Sequence, residues 1–196
     1  MKSPYSFVIS PVGERYNNIK KIGDKQLILN SEISNHEYIN RKGIVRSCPM
    51  LRPTSIKPGD EVIVHHNVFR RWYDQYGEEK NSRSWFSEDE YIVFEDQIFL
   101  YKPNDSWKAV EGFCFVKPIM SNSKWSDDKE DPTMGIIRYT DGSFDEGDLV
   151  SFTPFSKYEF IIDGEKLYRV YSKFITIKYE HEGNEETYNP SWAKSS

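Results

Sequence analysis

The residue types that could hold a metal or act as a nucleophile are few and scattered: His36, His65, His66 and His181, with Cys48 and Cys114. His65 and His66 fall on a predicted strand, where neighbours point to opposite faces, so the pair does not make one small site by itself. A zinc site needs closely spaced Cys or His pairs, and no such spacing occurs. Glu14, Asp60 and Asp148 could be paired with other carboxylates on paper. Asp60 and Asp148, however, each follow a glycine in a turn, where capping backbone is the simpler task. Neither a glycine-rich phosphate loop, a nucleophile elbow nor a His-Glu-x-x-His helix is present. The pattern predicts no enzyme and implies no cofactor.

Phe69-Arg70-Arg71-Trp72-Tyr73 is the best nucleic-acid candidate, since arginines beside rings could stack bases and neutralise phosphates. An edge strand or an intersubunit contact also favours these types. Charge separates the two readings. Residues 1–105 hold 15 basic and 15 acidic side chains, and residues 106–196 hold 11 basic and 16 acidic ones. Neither half carries the basic excess of a nucleic-acid binder. Nucleic acid is disfavoured.

The elements behind these residues read as strands. Aromatic residues make up 15% of the 196, with 13 Tyr and 12 Phe, and flat or β-branched side chains suit a pleated surface. Two distant cysteines favour a reducing compartment. The opening apolar run Phe7-Val8-Ile9 is too short for a signal-peptide core, and no stretch approaches a membrane span. A cytoplasmic protein without a membrane partner is expected.

Four blocks recur in the same order. Phe7-Val8-Ile9-Ser10-Pro11 matches Cys114-Phe115-Val116-Lys117-Pro118, a strand that should stop at proline. Gly43-Ile44-Val45-Arg46 matches Gly135-Ile136-Ile137-Arg138. Gly59-Asp60-Glu61-Val62-Ile63-Val64 matches Gly147-Asp148-Leu149-Val150-Ser151-Phe152. Tyr91–Phe94 and Ile98–Tyr101 match Tyr168–Tyr171 and Ile175–Lys178. The division expected is a first module over 1–102, a linker over 103–107, a second module over 108–181 and a polar tail over 182–196. Asp74 to Ser87 reads as a solvated excursion with room for a short helical turn.

This block order resembles the GroES-type co-chaperonin family. The closest match is Glu90-Tyr91-Ile92-Val93-Phe94-Glu95-Asp96-Gln97-Ile98-Phe99-Leu100: a strand, a short acidic turn and a final strand. The resemblance covers most of 5–102 and, more loosely, 112–179. It implies an all-β chain of two tandem GroES-like small antiparallel β-barrels. Such proteins form a ring that caps an ATP-driven chaperonin and assists folding of a client. Contact in that family is made by a mobile loop carrying an apolar tripeptide. The corresponding interval here is 13–42, and Leu27, Ile28 and Leu29 stand where the tripeptide would stand. The same three residues also fit an ordinary strand bounded by Gly23 and Asn30.

The second module departs from the pattern. Its interval, Met120 to Met134, is short and acidic, with only Trp125 to anchor anything. Cys48 to Ile56 is too short for the glycine-rich roof hairpin of bacterial members. These departures resemble phage-encoded co-chaperonins, which would place the protein in host cytoplasm. The resemblance implies a GroEL-type chaperonin ring, a folding client and further copies of the chain as partners. A structural or virion-associated assembly protein reusing the barrel is the alternative.

Overall fold

The computed structural model describes residues 2–15, 19–22, 25–28, 39–121, 129–183 and 185–195. The protein is all-β and antiparallel, and among the described residues it has only short 3-10 segments besides strands. Among the described residues no helix is long and apolar enough to cross a membrane. The chain divides into two units, Met1–Trp107 and Lys108–Ser196.

In the first unit the strands are β1 (Phe7–Pro11), β2 (Ile19–Ile22), β3 (Lys25–Ile28), β4 (Lys42–Ser47), β5 (Glu61–Val64), β6 (Arg71–Tyr73), β7 (Glu79–Asn81), β8 (Trp85–Ser87), β9 (Glu90–Val93) and β10 (Ile98–Lys102). Its main sheet runs β10-β5-β4-β1-β9-β8, while β2-β3 and β6-β7 are separate hairpins. Phe7, Ile9, Val62, Val64, Phe69, Tyr91 and Val93 form much of its core, each at most 1% exposed. Phe69 meets Tyr91 edge to face with ring centroids 4.9 Å apart.

The second unit holds β11 (Lys108–Ala109), β12 (Phe113–Met120), β13 (Glu130–Tyr139), β14 (Asp148–Phe152), β15 (Tyr158–Ile162), β16 (Glu165–Tyr171) and β17 (Ile175–Glu182). Its sheet order is β15-β16-β12-β13-β14-β17. Read from the other edge, this is the order of the first unit, strand for strand. Cys114, Val116, Ile137, Val150, Phe152 and Val170 make its core.

The match extends to single rungs. Pro11 faces Gly43, Ser10 faces Ile44 and Ile9 faces Val45; Pro118 faces Gly135, Lys117 faces Ile136 and Val116 faces Ile137. Both ladders then shift at one bulge, which skips Arg46 in one unit and Arg138 in the other. The turns before β5 and β14 agree as well. Gly59 and Gly147 take φ of +96° and +95°, a region open to glycine at no steric cost. The Asp60 and Asp148 carboxylates accept the amides of Lys57 and Asp145, both at 2.8 Å.

Three local expectations need correction. His65 and His66 do not lie on a strand with opposed side chains: β5 ends at Val64, the His65 amide bonds Gln97 O at 2.8 Å, and the two rings stack 4.2 Å apart. The second-unit strand does not stop at its proline. β12 continues to Met120 because the ladder slips just after Pro118, whose carbonyl accepts the Tyr188 amide at 2.8 Å. Residues 74–87 contain no helical turn. Asp74 instead accepts the amides of Tyr76 and Glu78 at 2.9 and 3.0 Å, and this Asx turn folds β6 onto β7.

Residues 185–195 pack on the second unit. Asn189 exchanges bonds with Gly164 O and the Lys166 amide at 3.1 Å each, and Ala193 is fully buried.

Candidate functional site

The interval 13–42 leaves the first sheet between its two central strands, β1 and β4. Its base is held by one buried side chain. Asn40 donates to the carbonyls of Val12 at 2.6 Å and Glu14 at 2.9 Å, while its own carbonyl oxygen accepts the Lys42 amide at 2.9 Å. Its amide bonds Arg15 O at 2.9 Å, and Val12 N bonds Lys42 O at 3.0 Å. An asparagine suits this place because its amide supplies two donors and one acceptor in a plane. Buried Ile39, 4% exposed, anchors the returning chain in the core. Arg15 ties the departing chain to the body, donating to Phe69 O at 3.2 and 3.1 Å and to Asn81 Oδ1 at 2.9 Å. The result is a neck.

Beyond the neck the chain forms a hairpin of its own. Ile19 faces Ile28, Lys20 faces Leu27, Lys21 faces Gln26 and Ile22 faces Lys25. Leu27 and Ile28 thus lie on the backbone of β3, in a two-stranded sheet apart from the main one. Leu29 lies outside the described residues, as do His36 and, in the second unit, Trp125.

Polar groups cluster elsewhere in the second unit. Tyr168 donates its hydroxyl to Glu130, and Lys166 reaches Glu130 and Glu159 at 3.1 Å each. Burial would raise the Glu130 carboxyl, but the Tyr168 hydroxyl and Lys166 outweigh it and hold it below the ordinary range. Lys166 is held above its ordinary value despite burial, by Tyr168, Glu130 and Glu159. All of these charges face partners, which is what a structural cluster needs. An open groove of ≈ 330 Å³ is lined by Lys117, Arg138, Glu146 and Gly183. Its cations are already engaged: Lys117 meets Glu165 at 3.0 Å, and Arg138 meets Glu165 at 3.1 Å and also Glu146.

Cys114 lies 3.3 Å from the Ser172 hydroxyl, which donates to Asp141 at 2.8 Å. Burial pushes the Cys114 thiol up, and a thiol kept protonated is a poor nucleophile. Among the described residues no group of three or more His, Cys, Asp or Glu side chains has metal-binding geometry.

The Phe69–Tyr73 run divides between core and surface. Phe69 is buried, Trp72 and Tyr73 are exposed, and the Arg70 guanidinium lies 5.8 Å from the Trp72 ring centre. Sequence reasoning missed the Asn40 neck and the Glu130 cluster, since both rest on partners far along the chain. No model of a known protein family matches the sequence, and no protein of curated function matches it.

Proposed function

We propose that this protein is a non-enzymatic co-chaperonin of GroES type: two GroES-like β-modules in tandem that cap an ATP-driven chaperonin ring and assist folding of a client. The chaperonin contact is the arm, through Leu27, Ile28 and Leu29. What carries this reading is the hairpin that leaves the sheet through the Asn40 neck and has Leu27 and Ile28 on its returning strand. The β1–β4 ladder supports it by supplying a hydrogen-bonded frame at the root of the arm.

An extended apolar segment can dock in a hydrophobic groove, and ordering it on binding costs about 2–5 kcal/mol, so a single arm binds weakly. A homo-oligomer presenting several arms recovers affinity through effective concentration and still releases when the partner changes shape. The test is capture of the full chain by a GroEL-type chaperonin with and without nucleotide. Nucleotide-dependent capture, lost on changing Leu27, Ile28 and Leu29 together to Ser, is expected. Capture that ignores nucleotide or the triple change overturns the proposal. A chain that ignores chaperonin and co-purifies with virus particles fits the assembly-protein reading instead.

A further inference from the structure

The second hairpin and the strand after it put five large side chains into solvent within fifteen residues: Trp72, Tyr73, Tyr76, Trp85 and Phe86, with Tyr76 80% exposed. Single exposed rings are ordinary on a soluble protein, whereas five within fifteen residues, spread over β6, its turn and β8, expose more ring area than a soluble chain needs. The element is firmly held. Arg15 grips Phe69 O and Asn81, the Ser82 hydroxyl donates to Val68 O at 2.6 Å, and the Ile92 amide bonds Ser84 O at 2.7 Å. These rings are presented on a fixed frame.

Charge decides what they can meet. Residues 69–90 carry four cations, Arg70, Arg71, Lys80 and Arg83, against six carboxylates, Asp74, Glu78, Glu79, Glu88, Asp89 and Glu90. Arg71 pairs with Glu79 at 3.3 Å, Lys80 pairs with Glu78 at 2.6 Å and with Asp74 at 3.4 Å, and Arg70 lies over Trp72. Glu88 and Asp89 are exposed and make no ion pair among the described residues. Phosphate would meet a surface with more carboxylates than cations, on which Arg70, Arg71 and Lys80 are already engaged, and this is unfavourable for nucleic acid. β8 also ends the sheet order, so its outer edge faces no strand among the described residues. An extended peptide can add there, with its backbone on the edge and its side chains among the rings.

We propose that the β6–β8 surface is a docking site for an extended polypeptide segment in which Lys or Arg alternates with apolar side chains. The apolar residues bury ring area, the cations sit over Trp72, Tyr73 or Tyr76, and Glu88 and Asp89 complement their charge. This goes beyond the chaperonin contact, since it uses neither the arm nor Leu27–Leu29.

The test uses the full chain and a fluorescent peptide of about twelve residues alternating Lys and Val, judged against hot-spot behaviour at interfaces. A Glu-Val peptide and an oligothymidylate are the comparison probes. Saturable binding of the Lys peptide is expected, with the Glu peptide about tenfold weaker and the oligothymidylate not bound. Changing Tyr73, Tyr76 and Phe86 together to Ser should weaken the Lys peptide about tenfold. Tyr76→Ser alone, at an exposed turn, gives a smaller loss and keeps the test valid should the triple change unfold. Glu88→Lys with Asp89→Lys should reverse the preference between the two peptides. Binding indifferent to peptide charge or to the ring substitutions overturns the proposal, and saturable oligothymidylate binding overturns it in favour of nucleic acid. None of these outcomes depends on capture by a chaperonin.

Discussion

A Cβ placed on Gly43 would stand 2.5 Å from the Cγ2 of Ile9 and 3.1 Å from the carbonyl oxygen of Ser10. At the matching rung of the second unit, a Cβ on Gly135 would stand 2.7 Å from the carbonyl oxygen of Lys117 and 3.2 Å from Val116. Two central strands approach this closely in each unit because one partner lacks a side chain. Gly43→Ala and Gly135→Ala should each destabilise by about 1–3 kcal/mol, the usual cost of forcing extra volume into a packed interior. Denaturant titration of the two single variants checks this. A neutral Gly43→Ala would mean that β1 and β4 are farther apart than described.

Tyr91 is fully buried, and its hydroxyl has no hydrogen-bond partner among the described residues. Burial pushes that hydroxyl up, against the pull of Arg15. The ring packs on Phe69 and under Arg15, so the ring rather than the oxygen holds the site. Tyr91→Phe should therefore leave stability unchanged or raise it by up to about 1 kcal/mol, since it removes a desolvated group. Tyr91→Ala, by contrast, should cost about 3–5 kcal/mol. A loss above 1 kcal/mol in the Phe variant would reveal a partner for the hydroxyl.

The repeated ladder is legible in the sequence because its markers are local. A Gly-Asp turn before Val62 or Val150, and a glycine opening Gly43-Ile44-Val45 or Gly135-Ile136-Ile137, need only their neighbours to be recognised. Asn40 reads as one polar residue among many, because the carbonyls it binds lie 26 and 28 residues back. The His65-His66 pair reads as part of a strand. The His65 amide still bonds the Gln97 carbonyl opposite it, but β5 ends at Val64 and the two rings turn to stack on each other, which alternation along a strand does not predict. The last residues looked like a polar tail, yet Tyr188 and Asn189 spend their polar groups on the sheet and bring Ala193 under cover. Leu27–Leu29 stood out by being apolar among polar neighbours. That the first two sit on a hairpin of their own depends on pairing with Ile19 and Lys20, which alternation alone does not predict.

Acid should loosen the second unit. Burial would raise its Glu130, Asp141 and Glu165 carboxyls, but hydrogen bonds and cations outweigh it: Tyr168 and Lys166 at Glu130, Ser143 and Ser172 at Asp141, Lys117 and Arg138 at Glu165. A carboxyl held below its unfolded value contributes stability that is complete above the ordinary range near pH 4. That stability is lost as pH falls from there through the folded value. In the first unit the described carboxyl held low is Asp74, on the solvent-facing hairpin. Hydrogen exchange at near-neutral and acid pH should show amides of β12 and β16 losing protection before those of β1 and β9. Glu130→Gln should cost about 1–3 kcal/mol at neutral pH and flatten the acid dependence. Earlier opening of the first unit would contradict this assignment.

Both thiols should be slow to react. Cys48 donates to Ile56 O at 3.2 Å, and burial followed by Asp60 pushes its thiol up; Cys114 is fully buried, and burial pushes its thiol up as well. With an aromatic disulfide reagent at pH 7.5, Cys48 should label slowly and Cys114 only on unfolding. Rapid labelling of Cys114 in the folded chain would show that β12 opens locally.

Asn40→Ala removes two donors and an acceptor at a buried position and should cost about 1–3 kcal/mol. Exchange of the Lys42 and Asn40 amides should quicken, while the β15–β16 pair of the second unit should be unaffected. Asn40→Asp, which keeps the acceptor but turns carboxylate toward the Val12 and Glu14 carbonyls, should be at least as damaging.

The neck also has a mechanical meaning. Traction on the 13–42 segment arrives at the end of β1 and the beginning of β4 together, at the same end of one antiparallel pair. Applied there, tension would unzip the sheet rung by rung, starting from Pro11 and Gly43. Asn40 stands in front of that first rung and joins the outgoing chain to the incoming one, so it takes the strain as a stopper does and leaves the body of the sheet unstressed.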